Sequence, residues 1–206
     1  MSDLNQQLLN FNQNQNFNYD DFYVSKSNYY AFKLIETWPK WEKNIVNIYG
    51  EKYSGKSHLA EIFRQKYKAL KFTENQLNNK FFKSLKLHEN LILENYENKT
   101  DEKLMYSLFN LVDQDNKYLI INSNIPLIKM NFKLSDLSSR AKNCILAEIK
   151  DPDDDLIYFW CKTLDCLLQL PPTVLSHTKS FEEKTCGVGE KGTIYKYQVD
   201  DGSRQD

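Results

Sequence analysis

The stretch Gly50-Glu51-Lys52-Tyr53-Ser54-Gly55-Lys56-Ser57 constrains this chain more than any other. An apolar run, Ile45-Val46-Asn47-Ile48-Tyr49, precedes it, and a helical pattern, His58-Leu59-Ala60-Glu61-Ile62-Phe63-Arg64, follows it. Strand, glycine turn and helix in that order are the setting in which such a loop cradles phosphate. Glycine lets the backbone curl so that its N–H groups converge on phosphate oxygens. Lys56 would reach the β- and γ-phosphates, and Ser57 would hold Mg²⁺. The helix opening near Gly55 adds its N-terminal dipole. No other glycine occurs before Gly187, so both early glycines fall where the loop demands them.

The rest of the chain alternates strands with helices. Strands are expected near 44–49, 69–72, 90–95, 118–124 and 144–149. Helices are expected up to Pro39, with Ser25 or Ser27 as N-cap, and from the loop to Tyr67. Leu77, Phe81, Phe82 and Leu85 repeat at helical spacing. Thr100 is expected to cap a helix over 101–113, a short helix spans 135–140, and Asp151–Asp155 opens another. This order predicts an α/β fold, a central parallel sheet with helices on both faces.

Length and charge narrow the function. The chain has 206 residues and a net charge of −1, too neutral for the footprint of a sequence-reading DNA-binding domain. No apolar run is long enough for a membrane span, and the polar N-terminus does not read as a signal peptide. Cys144, Cys161, Cys166 and Cys186 suit a reduced, cytoplasmic setting. With His177 their spacings match no common zinc pattern. Residues 1–18 are Asn- and Gln-rich, as in a flexible tail. Within them, Gln6, Leu9 and Phe11 could fill a small apolar pocket as an extended peptide.

Parallel strands gather their carboxyl ends at one edge, so Lys56, Glu94, Ser123 and Asn124 should meet there. Glu94 either serves the metal or ends a buried strand. Asn95 can orient water but cannot act as a base, so nucleotide binding is a stronger expectation than hydrolysis. Asn124 would sense the γ-phosphate or hold the attacking water. Arginine occurs only at positions 64, 140 and 204. Arg140 either stabilises transition-state charge in a neighbouring molecule's site or forms a surface ion pair.

These residues resemble the AAA+ domain of the bacterial replication initiator DnaA, and most closely its short relatives of the Hda type, the regulatory inactivators of DnaA. The segments that carry the resemblance are Asp21–Asn28, Gly50–Leu59, Leu91–Asn95, Ile121–Pro126 and Leu137–Arg140. It implies a three-layer P-loop fold over 19–150, with 151–206 as a truncated or divergent helical lid and tail. It implies ADP or ATP as cofactor, with Mg²⁺ held by Ser57 and Glu94. Tyr23, Val24 and Asn28 would lie by the adenine, with Gly50, Ser54, Gly55, Lys56, Ser57 and His58 around the phosphates. Gln6, Leu9 and Phe11 would bind the β subunit of the DNA sliding clamp. Arg140 would be an arginine finger prompting hydrolysis of DnaA-bound ATP.

The chain also departs from that pattern. Glu94-Asn95 replaces an acidic pair, so intrinsic ATPase activity is expected to be weak or absent. The resemblance fades after Ile157, and no arginine fits the lid's sensor role. Two other readings stay open: a self-sufficient P-loop ATPase or DnaA-type replication factor, and a nucleotide-locked scaffold. A homo-oligomer is also open.

Overall fold

The computed structural model describes residues 19–159. Its centre is β1 (Ile45–Gly50), whose residues are buried at every position except the partly covered Tyr49. Beside it lie β4 (Tyr118–Ser123) and β5 (Ile145–Ile149), and beyond β4 come β3 (Asn90–Tyr96) and β2 (Leu70–Thr73). The order is β2-β3-β4-β1-β5, and every pairing is parallel. Near-continuous apolar runs such as Leu91-Ile92-Leu93 and Leu119-Ile120-Ile121 belong in strands covered on both faces.

Five helices supply that cover: α1 (Tyr29–Thr37), α2 (Lys56–Tyr67), α3 (Phe81–Lys86), α4 (Glu102–Gln114) and α5 (Ser135–Lys142). Side chains alternate across a strand, so each strand feeds two cores. Ile92 and Ile120 join Val46, Ile48, Ala31, Ile35, Leu59 and Phe63, against α1 and α2. Leu91, Leu93, Leu119 and Ile121 join Leu108, Phe109, Val112 and Leu137, against α4 and α5. Burying each such side chain contributes about 1.5–3 kcal/mol. This is the expected three-layer arrangement. No helix among the described residues is long and apolar enough to cross a membrane.

Three local expectations are corrected. Asn28, not Ser25 or Ser27, stands at the start of α1, and makes no side-chain cap bond there. The Ser25 and Ser27 hydroxyls bond each other instead, at 2.8 Å. Asp101 rather than Thr100 caps α4, accepting from the Lys103 N–H at 3.0 Å, because the Thr100 hydroxyl is drawn to the Glu74 carboxylate. β3 does not end at Glu94-Asn95. It runs to Tyr96 through an irregularity at which Asn95 takes φ +51°. A further helix does open within Asp151–Asp155 as expected, beginning at 154, with the Asp153 carboxylate accepting from the Leu156 N–H at 3.0 Å.

The chain passes from β1 through α2 to β2 on one side, while β5 lies on the other side of β1. Ligands of open parallel sheets settle at the carboxyl ends of strands where the order reverses like this. The Gly50–Ser57 loop leaves β1 at that point.

Candidate functional site

Gly50 and Gly55 shape the loop for different reasons. At Gly50 (φ +156°), an added Cβ would lie 2.2 Å from the Ile149 carbonyl oxygen, so the loop departs pressed against β5. Gly55 opens α2 in a left-handed conformation, φ +98°, which side chains rarely adopt. Phe22 packs over Gly55, its nearest ring carbon 3.6 Å from where a Cβ would stand.

Lys56 is buried, and its ammonium turns back on the loop. It donates to the Gly50 carbonyl at 2.9 Å, the Glu51 carbonyl at 2.6 Å and, more weakly, Ser54 Oγ at 3.4 Å. Burial pushes its pKa down, against the opposing pull of Glu51 and Glu94. Such an ammonium gains by meeting an anion.

Glu94 is the hub next to it, only 3% exposed. Its Oε2 accepts from Ser57 Oγ at 3.0 Å. Its Oε1 accepts from Asn122 Nδ2 at 3.3 Å and pairs with Lys71 Nζ at 3.3 Å. Asn122 also donates to the Lys56 carbonyl at 3.2 Å, tying the end of β4 to the first turn of α2. Lys71 in turn lies 3.7 Å from Glu61, which Arg64 holds at 2.6 Å. The Arg64 hydrogen bond is the main reason that Glu61 titrates below the usual carboxylate range.

Ser57 and Glu94 do come together as expected, but their setting fits Mg²⁺ poorly. Both Glu94 oxygens already take donors, one of them an ammonium. Asn95, where a second acid would help, is exposed on the irregular turn of β3. No group of three or more His, Cys, Asp or Glu among the described residues could hold a metal.

His58 directly follows the loop, and Tyr23, Val24 and Asn28 belong to the strip that continues from Phe22, the residue packed over Gly55. Phe22 meets His58 edge-on at 5.1 Å and stacks on Phe32 at 5.8 Å. Asn28 is buried and braces the turn: its Oδ1 accepts from the Ser25 N–H and its Nδ2 donates to the Tyr23 carbonyl, both at 2.9 Å. Its amide atoms hold this strip in shape. Val24 packs against the α1–α2 core. Tyr23 stacks on Phe159 at 4.3 Å, and burial, then Asp155 and Asp153, pushes its hydroxyl pKa up.

Asn124 stands apart from Glu94. It is exposed and lines a cavity of about 380 Å³ with Tyr96, Glu97 and Asn98. The polar residue that β4 brings to Glu94 is Asn122. Ser123 is spent on structure, donating to the Ile125 carbonyl at 2.7 Å and accepting from Asn47 Nδ2 at 2.8 Å.

Arg140 lies at the other end of the sheet. It pairs with Asp113 at the end of α4 and sits 5.3 Å from the Tyr106 ring. With Asn44 and Ile45 at the start of β1 it lines a cavity of about 580 Å³. The loop follows β1's far end, roughly 16 Å of strand away. Gln6, Leu9 and Phe11 lie outside the described residues, as do Cys161, Cys166, His177, Cys186 and Arg204.

Sequence reasoning left Lys71 and Asn122 out of the site. The signal for both was a polar residue inside an otherwise apolar strand: Lys71 within Leu70–Phe72, and Asn122 after Leu119-Ile120-Ile121.

No protein-family model matches the sequence, and no curated protein matches it. Solved structures do resemble it. A crystal structure of a DNA replication initiation factor aligns with TM-score 0.66 and 19% identity, over 81% of this chain and 61% of that one. AMPPCP-bound DnaA from Aquifex aeolicus aligns with TM-score 0.64 and 20% identity, over 76% of this chain and 57% of that one. Domain III of the Thermotoga maritima replication initiation protein DnaA gives TM-score 0.61 and 18% identity, over 79% of each chain. The chain therefore shares the three-layer α/β fold of these proteins, and spans about three fifths of the length of the first two.

Proposed function

We propose that this chain is a DnaA-related AAA+ protein of the Hda regulatory type, acting in the control of chromosomal replication initiation. It holds ADP or ATP in the Gly50–Ser57 loop, with adenine against the Tyr23–Asn28 strip. It docks on the sliding clamp through Gln6, Leu9 and Phe11, and presents Arg140 to ATP on DnaA. Hydrolysis then occurs in the partner's site, and initiation is not repeated.

The observation that carries this reading is the separation of Arg140 from the chain's own loop. Arg140 lines a cavity with Asn44 and Ile45, at the end of β1 opposite Gly50. A guanidinium there is too far to serve a nucleotide in the chain's own loop, which supports a role towards a neighbour's nucleotide. Support for nucleotide binding comes from the buried Lys56 ammonium, whose hydrogen-bond partners among the described residues are uncharged loop carbonyls and a hydroxyl. The AMPPCP carried by the similar DnaA structure agrees with it.

A second reading, a nucleotide-locked scaffold, draws on the Arg140–Asp113 ion pair, which occupies the guanidinium. The test is hydrolysis of DnaA-bound ATP in the presence of clamp loaded on DNA. The regulatory reading expects stimulation by the intact chain, and its loss with either Gln6→Ala or Arg140→Ala. Clamp binding with no effect of Arg140→Ala would leave the scaffold. Robust ATP turnover by the chain alone would favour a self-sufficient ATPase.

A further inference from the structure

We infer that Lys71 is a built-in counter-cation of the nucleotide site, so that the loop binds a nucleoside diphosphate or triphosphate without needing a divalent cation. The inference rests on the reading of Gly50–Ser57 as a nucleotide loop.

The placement of Lys71 follows from register. Lys71 on β2 lies opposite Ile92 on β3, and Thr73 lies opposite Glu94. Ile92 belongs to the core under α1 and α2. Alternation along the strand puts Glu94 on that same face. Lys71 shares it and reaches diagonally to Glu94, a separation long side chains span readily. On α2, Ser57 and Glu61 are four residues apart, so they stack on one side of the helix. The result is a line of alternating partners: Ser57 to Glu94 at 3.0 Å, Glu94 to Lys71 at 3.3 Å, Lys71 to Glu61 at 3.7 Å.

Charge decides what this line does. In a phosphate loop the carboxylate at the end of this strand ordinarily answers a divalent cation. Here it answers an ammonium. The Glu94 side chain is 4% exposed and that of Lys71 32%, so the carboxylate is enclosed while the lysine stem covers it from solvent. A divalent ion entering beside Ser57 would face Lys71 across a single carboxylate, with no second acid at Asn95 to offset the repulsion. The phosphates do not lack partners without it. Lys56, the loop N–H groups and the amino end of α2 all present positive charge to them. Lys71 keeps Glu94 from repelling them.

The experiment measures ADP affinity of the full chain by calorimetry, in EDTA and in Mg²⁺, for the intact protein, Lys71→Met and Lys71→Arg. The intact protein and Lys71→Arg should change by less than about threefold between the two conditions. Lys71→Met, leaving Glu94 uncompensated, should gain at least about tenfold from Mg²⁺. It should also bind Mn²⁺ with ADP, seen as loss of the free-ion electron paramagnetic resonance signal. Strict Mg²⁺ dependence in the intact protein would overturn the inference, even if Lys71→Met did not fold. A Lys71→Met protein as indifferent to Mg²⁺ as the intact one would overturn the role given to Lys71. Absence of ADP binding in both conditions would overturn the nucleotide-loop reading itself.

Discussion

Lys56 Nζ donates to the Glu51 carbonyl at 2.6 Å, so the side chain proposed to grip phosphate grips its own loop. The burial of this ammonium sets up a pH dependence. Burial lowers the Lys56 pKa in the folded chain. The unfolded chain therefore binds this proton more readily, and the penalty on folding fades as pH rises from the lowered value towards the ordinary lysine range. Phosphate oxygens taking over from the carbonyls would reverse the shift. ADP binding should then take up a proton in that alkaline window, and affinity should weaken as pH rises across it. Calorimetry in two buffers of different ionisation enthalpy reads the uptake. Proton-neutral binding throughout the window would exclude a phosphate contact at Lys56.

The two loop glycines should differ in cost. Gly50→Ala drives a methyl group to 2.2 Å from a backbone oxygen of Ile149, which cannot move without disturbing β5. It should destabilise the fold by about 3 kcal/mol. Gly55→Ala meets nothing closer than 3.6 Å, but must hold φ +98°. Its cost should be about 1–2 kcal/mol. Urea unfolding of the two variants checks the order, and a cheaper Gly50→Ala would contradict the packing described for the loop and β5.

Glu74 fixes the segment that follows β3. Its buried carboxylate accepts from the Asn98 and Lys99 N–H groups at 3.0 Å each, from the Glu97 N–H, and from Thr100 Oγ1 at 3.2 Å. Glu74→Ala strands these donors and should cost about 3 kcal/mol. Hydrogen exchange of the 98 and 99 amides should accelerate beyond the global effect. Unchanged exchange there would show that the segment is held by other means.

Much of this fold was legible because its strands are short apolar runs bounded by polar residues. Ile45–Gly50 and Leu91–Leu93 could hardly be read otherwise, and the glycines of the loop told where β1 ends. What escaped depends on contacts between distant segments. Lys71 reaches Glu94 only because β2 lies beside β3, and the order of strands is not written in any one of them. Asn95 takes φ +51° at an irregularity in the pairing of β3 with β4, which a local pattern does not encode. Thr100 and Asp101 are both good caps by type. The choice fell to Asp101 because Thr100 serves Glu74, 26 residues earlier. Asn122 rather than Asn124 meets Glu94 because Leu93 pairs with Ile121, so the next residues of the two strands, Glu94 and Asn122, stand level.

The central claim is that Arg140 acts on a neighbour's nucleotide. Its pairing with Asp113 is partly exposed and so easily exchanged. The most direct measurement is single-turnover hydrolysis of labelled ATP loaded only on DnaA, with clamp on DNA, comparing the intact chain with Arg140→Ala. Stimulation by the intact chain should fall by roughly 10³-fold or more in the variant, the scale on which a finger supplied in trans acts. Equal stimulation by both proteins would contradict the claim.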